Sequence, residues 1–317
     1  MPKNKFLIVG AIVLILALSV LGLVVGALGQ SILKGLTLPS WIVPQAPEPQ
    51  LPAEAIFHIG GFVITNTMLT TWITMIFLIG FFWGVTRKIK LIPPRLQSIA
   101  ENVLNWILEL CEDTAGRANG RRFFPLVATI FLFIIVNAWM NLLPGYGSIL
   151  IGTRSETMVP LLRGANTDIN LPLALALITF VMVEWWGLRA IGTFRYLGKF
   201  FNFGPLLHGI KNVGKEGIMG VFNGIIAFFV GILELIMEFV RIISLTFRLF
   251  GNMTGGEILI LMILFLVPFA VPLVFYGLEG LVGFVQALVF AGLTLVFAVV
   301  AVTPHSEHDE HEHAAEH

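Results

Sequence analysis

The chain has 317 residues, of which 57% are hydrophobic and 12% are charged, and its mean hydropathy is +0.91. These values lie outside the range of soluble globular proteins and predict an all-α integral membrane protein. Lys+Arg and Asp+Glu balance at 19 each, so net charge does not indicate a nucleic-acid partner, and none is expected. Cys111 is the single cysteine, which excludes an intrachain disulfide.

The first apolar run covers residues 6–29 and follows Lys3 and Lys5. It is long enough to span a bilayer about 30 Å thick, and a cleaved signal usually has a shorter core. The sequence "GALGQ" nevertheless offers a small-residue cleavage site, so retention and cleavage both stay open. We assign residues 1–35 to an N-terminal membrane anchor or signal segment and 36–61 to an outer Pro-rich loop.

Residues 62–303 are predicted to form the main membrane domain. Its apolar stretches cover 65–86, 123–144, 171–192, 218–266 and 272–302. The fourth stretch is too long for one upright helix, so it must tilt strongly or lie along the membrane plane. We therefore expect about six membrane helices, the last two being long, strongly tilted or membrane-parallel, and forming a C-terminal hairpin that turns near Pro268 and Pro272.

The distribution of Lys and Arg predicts the orientation of the chain. The loops 87–122 and 189–217 are rich in basic residues and are expected inside, whereas 30–60 and 145–170 are poor in them and are expected outside. The tail, 304–317, carries five of the seven histidines among acidic residues and should be cytoplasmic. A solvated end is favoured there over a weak metal-binding tract.

Polar residues inside membrane segments are functional hypotheses by default. They cluster in the last two stretches: Glu234, Glu238, Arg241, Arg248, Asn252 and Glu257 on one, Glu279 and Gln286 on the other. An antiparallel hairpin turning near residues 267–268 places Arg248 opposite Gln286 and Glu257 opposite Glu279. The two pairs would lie up to about 14 Å apart along the helix.

Simpler roles compete for some of these residues. Arg248 could be a snorkelling anchor or a partner of Glu238. The glycines in "GNMTGG" could serve only close helix packing. For Glu184, which precedes Trp185 and Trp186, interfacial anchoring is favoured.

Four segments resemble a known family, subunit a of the rotary F-type ATP synthases. "SLTFRLFGNMTGGEI" resembles the family signature around its essential arginine, and "LEGLVGFVQALVFAGLTLVF" resembles the final helix. "PLVATIFLFIIVNAWMNLLP" and "TDINLPLALAL" resemble the third and fourth membrane segments. The resemblance covers roughly residues 56–302 and is most specific around Arg248.

The resemblance implies a proton-translocation role for eight residues. Arg248 would face the rotor ring with Gln286 as its neighbour, Asn252, Glu257 and Glu279 would line aqueous half-channels, and Glu234, Arg241 and Ser244 would lie nearer the cytoplasmic entrance. Many members pair a histidine with a carboxylate where this chain has Glu257 and Glu279, and some have Asp at the position of Asn141.

The implied function is that of a stator proton channel, not an enzyme, with no cofactor and no metal. The implied partners are the c-ring of the rotor, b-type peripheral stalk subunits, the F1 head through the complex, and the lipid bilayer, with the chain in the bacterial plasma membrane. Two other classes compete: a secondary transporter, which usually shows internal repeats, and a purely structural membrane scaffold. Copurification with a ring of small hairpin proteins and an ATPase head would distinguish them.

Overall fold

The computed structural model describes residues 2–33, 39, 43–44, 46–47, 51–87, 89–90, 92–152, 158–193, 196 and 213–303. The predicted tail 304–317, much of the Pro-rich loop and most of the loop 189–217 lie outside these residues. Seven α-helices occur in the described part: α1 Pro2–Val25, α2 Ala27–Ile32, α3 Asn66–Thr86, α4 Arg95–Asn141, α5 Asn170–Ile191, α6 Val213–Leu266 and α7 Val271–Val302.

Two short antiparallel hairpins and one 3₁₀ turn complete the described structure. Strands β1 Ala55–Ile59 and β2 Phe62–Thr65 pair immediately before α3, and β3 Leu150–Gly152 pairs with β4 Met158–Pro160. The 3₁₀ turn, Ala165–Thr167, precedes α5. These hairpins lie in or beside the two connections predicted to face outward. The count of basic residues predicts the side of the membrane for a connection, but it does not predict the secondary structure.

Five helices within the described residues are long and apolar enough to cross a membrane: Lys5–Val25, Asn66–Thr86, Arg95–Asn141, Asn170–Ile191 and Val271–Val302. The two long C-terminal stretches are single helices, α6 and α7, joined by residues 267–270. The prediction of an all-α integral membrane protein is therefore confirmed. The tilt of α6 stays a prediction.

Helix α4 is interrupted by a sharp reversal at Gly116. Gly116 has φ 75° and ψ 159°, a conformation that glycine adopts without a Cβ clash. A Cβ at Gly120 would lie 2.6 Å from the Cys111 carbonyl oxygen, so the two halves of α4 run close together. The prediction of a loop over 87–122 is thus wrong from residue 95 onward, because the charged segment is helical on both sides of Gly116 and folds back on itself there. The side of the membrane on which it lies stays a prediction.

The chain divides into two compact units within its described residues. The first contains those of 1–83, 132–169 and 249–288, and the second contains those of 84–131, 170–248 and 289–317. In the second unit, Phe123 of α4 and Trp186 of α5 have ring centroids 4.5 Å apart, and Trp106 and Phe131, from the two halves of α4, have centroids 5.6 Å apart.

A buried seam of hydroxyl and amide groups holds the first unit together. Thr70 and Thr74 of α3 are fully buried, and Asn137 of α4 donates to the Thr74 hydroxyl at 3.1 Å. Tyr146 donates to Thr70 at 3.2 Å, and the Asn166 backbone donates to the Asn137 side chain at 3.3 Å. Such hydrogen bonds can hold helices together inside a membrane, where no hydrophobic driving force acts between apolar helix surfaces.

Candidate functional site

One face of α6 carries Arg248 and is left exposed by the residues that the structure describes. Ser244, Arg248 and Asn252 recur every four residues and are exposed, and the Arg248 guanidinium donates to the Ser244 hydroxyl at 3.4 Å. Gly251 and Gly255 lie on the same face, and a Cβ at either would meet nothing within 4 Å. The face therefore combines a fixed positive charge with room for a closely packed neighbour.

The opposite face of α6 is apolar and packed. Leu245, Leu249 and Met253 are each no more than 4% exposed. Helix α6 therefore packs through this apolar face, whereas the face with Arg248 is open in the described structure. An unpaired arginine is costly in hydrocarbon, by a few kcal/mol on insertion scales.

A polar cavity of ≈ 390 Å³ opens in the first unit. One water needs only ~10–15 Å³ of such volume, so the cavity has room for several waters. Its polar lining includes Glu54, Asn141, Arg163 and Glu257. Both connections predicted to face outward contribute to this one cavity.

Glu257 is paired with Arg163 in that cavity. The Arg163 Nε lies 3.3 Å from Glu257 Oε1, and Arg163 Nη2 lies 3.4 Å from Oε2. Arg163 is only 8% exposed and also donates to the Pro52 carbonyl at 3.1 Å. A buried guanidinium therefore balances the carboxylate that we predicted as a relay group.

Glu279 of α7 reaches α6 at Gly256, next to Glu257. Its carboxylate occupies the space that a Cβ at Gly256 would need. The two carboxylates interact electrostatically. The proximity agrees with the depth that the sequence predicts for this pair, whereas a proton shared between them stays a prediction.

A second polar cluster lies in the second unit, on the N-terminal part of α6. Arg241 donates to Glu238 at 2.7 Å, and its guanidinium stacks 4.0 Å from the centroid of the Phe297 ring on α7. Glu238 is 5% exposed, so this is a largely buried ion pair. The sequence predicted a proton-translocation role for Arg241 and placed Glu238 on the same face of the helix.

Tyr196 belongs to the same cluster and was not predicted. It is 2% exposed, its hydroxyl is hydrogen-bonded to Glu184, and Gly187 gives it room because a Cβ there would lie 2.9 Å from the hydroxyl. Burial raises the pKa of Tyr196, and the neighbouring Glu184 and Glu238 carboxylates raise it further. Glu184, for which interfacial anchoring was favoured, thus has a specific buried partner.

The remaining predicted residues have less defined surroundings. Gln286 is 9% exposed and lies in the first unit. Glu234 is half-buried on α6 in the second unit. The pairing of Arg248 with Gln286 stays a prediction.

Glu54 and Arg163 are the cavity residues that sequence reasoning missed. Charged residues in connecting loops are ordinary, so neither attracted notice there. One signal was available: Arg163 is one of only two basic residues, with Arg154, in the connection 145–170.

Comparison with known proteins decides the family. The family model described as "ATP synthase A chain" matches residues 68–298. The chain belongs to the ATP synthase A chain family. As a member, it is a multi-pass membrane protein of ATP synthesis and proton transport, and residues 6–29 lie before the matched region.

Individual relatives agree with this assignment. ATP synthase subunit a of Moorella thermoacetica is 31% identical over 254 residues, which cover 80% of this chain and 98% of that protein. ATP synthase subunit a of Helicobacter pylori (strain P12) is 30% identical over 252 residues, covering 80% and 92%. ATP synthase subunit a of Gloeobacter violaceus is 33% identical over 243 residues, covering 77% and 86%.

Proposed function

We propose that this subunit a is the stator proton channel of an F-type ATP synthase in the bacterial plasma membrane. Two offset half-channels, one from each side, lead to mid-membrane, and a proton crosses between them only on a carboxylate of the rotating c-ring. The protein makes and breaks no covalent bond. Its further partners are the b-type peripheral stalk and, through the complex, the F1 head, and its C-terminal tail is cytoplasmic.

The observation that carries the proposal is the uncovered face of α6 with Arg248 at its centre. An arginine keeps its charge even in a dry site, where a lysine could lose its proton. Arg248 would attract each deprotonated ring carboxylate as it arrives and would bar a direct proton leak. Gly251 and Gly255 would let a ring helix approach closely.

The two polar clusters supply the ends of the path. The cavity with Glu257 would admit protons from outside, and Glu238, Arg241 and Tyr196 would lie along the route to the cytoplasm. A driving force of about 2.3 kcal/mol per charge per 100 mV would then act on each transferred proton. Proton is the coupling ion we propose.

The test is ATP-driven proton pumping and ATP synthesis by the complete synthase in vesicles. Arg248→Ala should abolish both while the ring and the ATPase head still copurify. The matched control is Arg117→Ala, which removes a side chain that is 85% exposed and should leave both activities near normal. Near-normal synthesis by the Arg248→Ala complex would exclude the stator role.

A further inference from the structure

Glu54 forms part of the cavity wall at the end of the connection that precedes β1. Three hydrogen bonds to Asn66 fix it there. The Glu54 backbone N–H donates to Asn66 Oδ1 at 3.3 Å, the Asn66 backbone N–H donates to the Glu54 carbonyl at 3.1 Å, and Asn66 Nδ2 donates to Glu54 Oε2 at 3.2 Å. Asn66 is itself fully buried at the start of α3 and also donates to the Pro160 carbonyl at 3.3 Å. The Glu54 carboxylate therefore has a defined position.

Arg163 links this wall to α6. Its Nη1 donates to the Pro52 carbonyl, two residues before Glu54, and its other nitrogens face Glu257. The buried Arg163 guanidinium thus contacts both the segment that carries Glu54 and the Glu257 carboxylate of α6. The charged groups that act on Glu54 are Arg163 and Glu257.

The surroundings of Glu54 favour its protonated form. Burial raises the pKa of its carboxyl above the ordinary value, and the Glu257 charge adds to this, whereas Arg163 and the Asn66 hydrogen bond oppose it. A carboxyl with a raised pKa still binds protons at an outer pH where an exposed carboxylate has lost them.

We propose that Glu54 is the first proton acceptor of the cavity, collecting protons from the outer water for Glu257, and that Arg163 is the positioning residue that holds the two carboxylates on one water-filled wall. This inference rests on the proposed stator function and adds a loading site in the connection before the membrane domain. The competing role for Glu54 is structural, as a hydrogen-bonded brace for Asn66.

The experiment measures proton flux through the complete synthase in vesicles against the pH of the outer side. Glu54→Gln keeps the size and can still bond Asn66, but it cannot titrate. Flux should fall several-fold at alkaline outer pH, where protons are scarce, and fall less at acidic outer pH. Glu54→His restores a titratable group and should recover part of the lost flux.

Two further variants complete the design. Glu109→Gln removes an exposed carboxylate of α4 outside the cavity and should match the unmodified synthase at every outer pH. Arg248→Ala, in the same preparation, tests the stator function itself. If Arg248→Ala is inactive while Glu54→Gln matches Glu109→Gln, the loading role is overturned and the stator function stands.

Other outcomes also decide the question. A loss of flux that is uniform across outer pH, or equal in Glu54→Gln and Glu54→His, would assign Glu54 the structural role and overturn the inference. Failure of both Glu54 variants to assemble with the ring would also assign Glu54 a structural role and overturn the inference. Normal activity in Arg248→Ala would instead overturn the stator function.

Discussion

Arg163 shows how a buried charge constrains its neighbours at the scale of single residues. It is 8% exposed and its partners are the Glu257 carboxylate and the Pro52 carbonyl. Removing one member of a buried ion pair leaves the charge of the other uncompensated, whereas replacing both members leaves no buried charge without a partner. The ion pair therefore fixes the positions of Arg163 and Glu257, and it adds less to the free energy of unfolding than two well-packed apolar side chains could.

We expect Arg163→Met to lower the free energy of unfolding by ~3–5 kcal/mol, because Glu257 loses its partner. The double variant Arg163→Met/Glu257→Gln should cost less than the single variant. Thermal unfolding of the purified complex in detergent measures both. The control is Arg121→Met, which breaks an exposed pair with Glu112 and should cost no more than ~1 kcal/mol. Equal costs for the Arg163 and Arg121 variants would contradict the burial argument.

Glu257 and Glu279 permit a second prediction at this scale. Each single Gln variant should assemble, slow proton flux and change its pH dependence, and the double variant should be worse than either. Gln preserves size and hydrogen bonding while removing the titratable group, so a purely structural pair would tolerate it. An unchanged flux and pH profile in the double variant would remove both residues from the proton path.

Residues within long apolar stretches could be predicted from the sequence, and loop residues could not. Arg248, Glu257 and Glu279 are conspicuous because charge is expensive in hydrocarbon. Glu54 and Tyr196 lie in connections, where polar residues are unremarkable, and only folding brings them to Asn66 and Glu184. The sequence carries no local sign of such contacts.

At the scale of elements, length and hydropathy predicted α6 and α7 but misjudged α4. The segment 95–115 is charged, and the cluster of basic residues around it suggested a loop. Its helical pattern is amphipathic, however, with Ile107 and Cys111 buried four residues apart. Charge clustering fixes which side of the membrane a segment occupies, and it does not exclude a helix.

The contact between α1 and the connection of α6 to α7 gives a prediction for the anchor. A Cβ at Gly26 would lie 2.7 Å from the Leu266 carbonyl carbon, and one at Gly22 would lie 3.2 Å from that of Pro268. Because the obstacles are backbone atoms, Gly26→Leu should force α1 away and lower the melting temperature of the complex. Gly10→Leu, in a place with open space, is the matched control.

The outcome of this substitution also bears on the first apolar run. If Gly26→Leu and Gly10→Leu melted at the same temperature, the close packing of α1 would not contribute to the assembled protein. Equal melting is also what removal of residues 1–29 from the mature chain would produce. Mass measurement of the purified chain separates the two explanations.

At the scale of the whole molecule, the basic loops predict the orientation of the chain in the membrane. We expect a cysteine at His58, in the connection with Glu54, to react with a membrane-impermeant thiol reagent from outside. A cysteine at Arg117, beside the reversal of α4, should react only from the cytoplasmic side. Native Cys111 is buried and should not react with the thiol reagent in either variant. Labelling of both positions from the same side would contradict the predicted topology.

The uncovered face of α6 also limits how long the chain can persist alone. On the proposed function, Arg248 would face lipid until a partner covers it, at a cost of roughly 2.5–3.5 kcal/mol on insertion scales, and the glycines beside it would leave the backbone accessible. We therefore expect membrane proteases to degrade a newly inserted chain that has not yet bound its partner subunits. We expect the cellular lifetime of the chain to depend on the supply of its partner subunits, and excess synthesis to end in rapid turnover instead of accumulation.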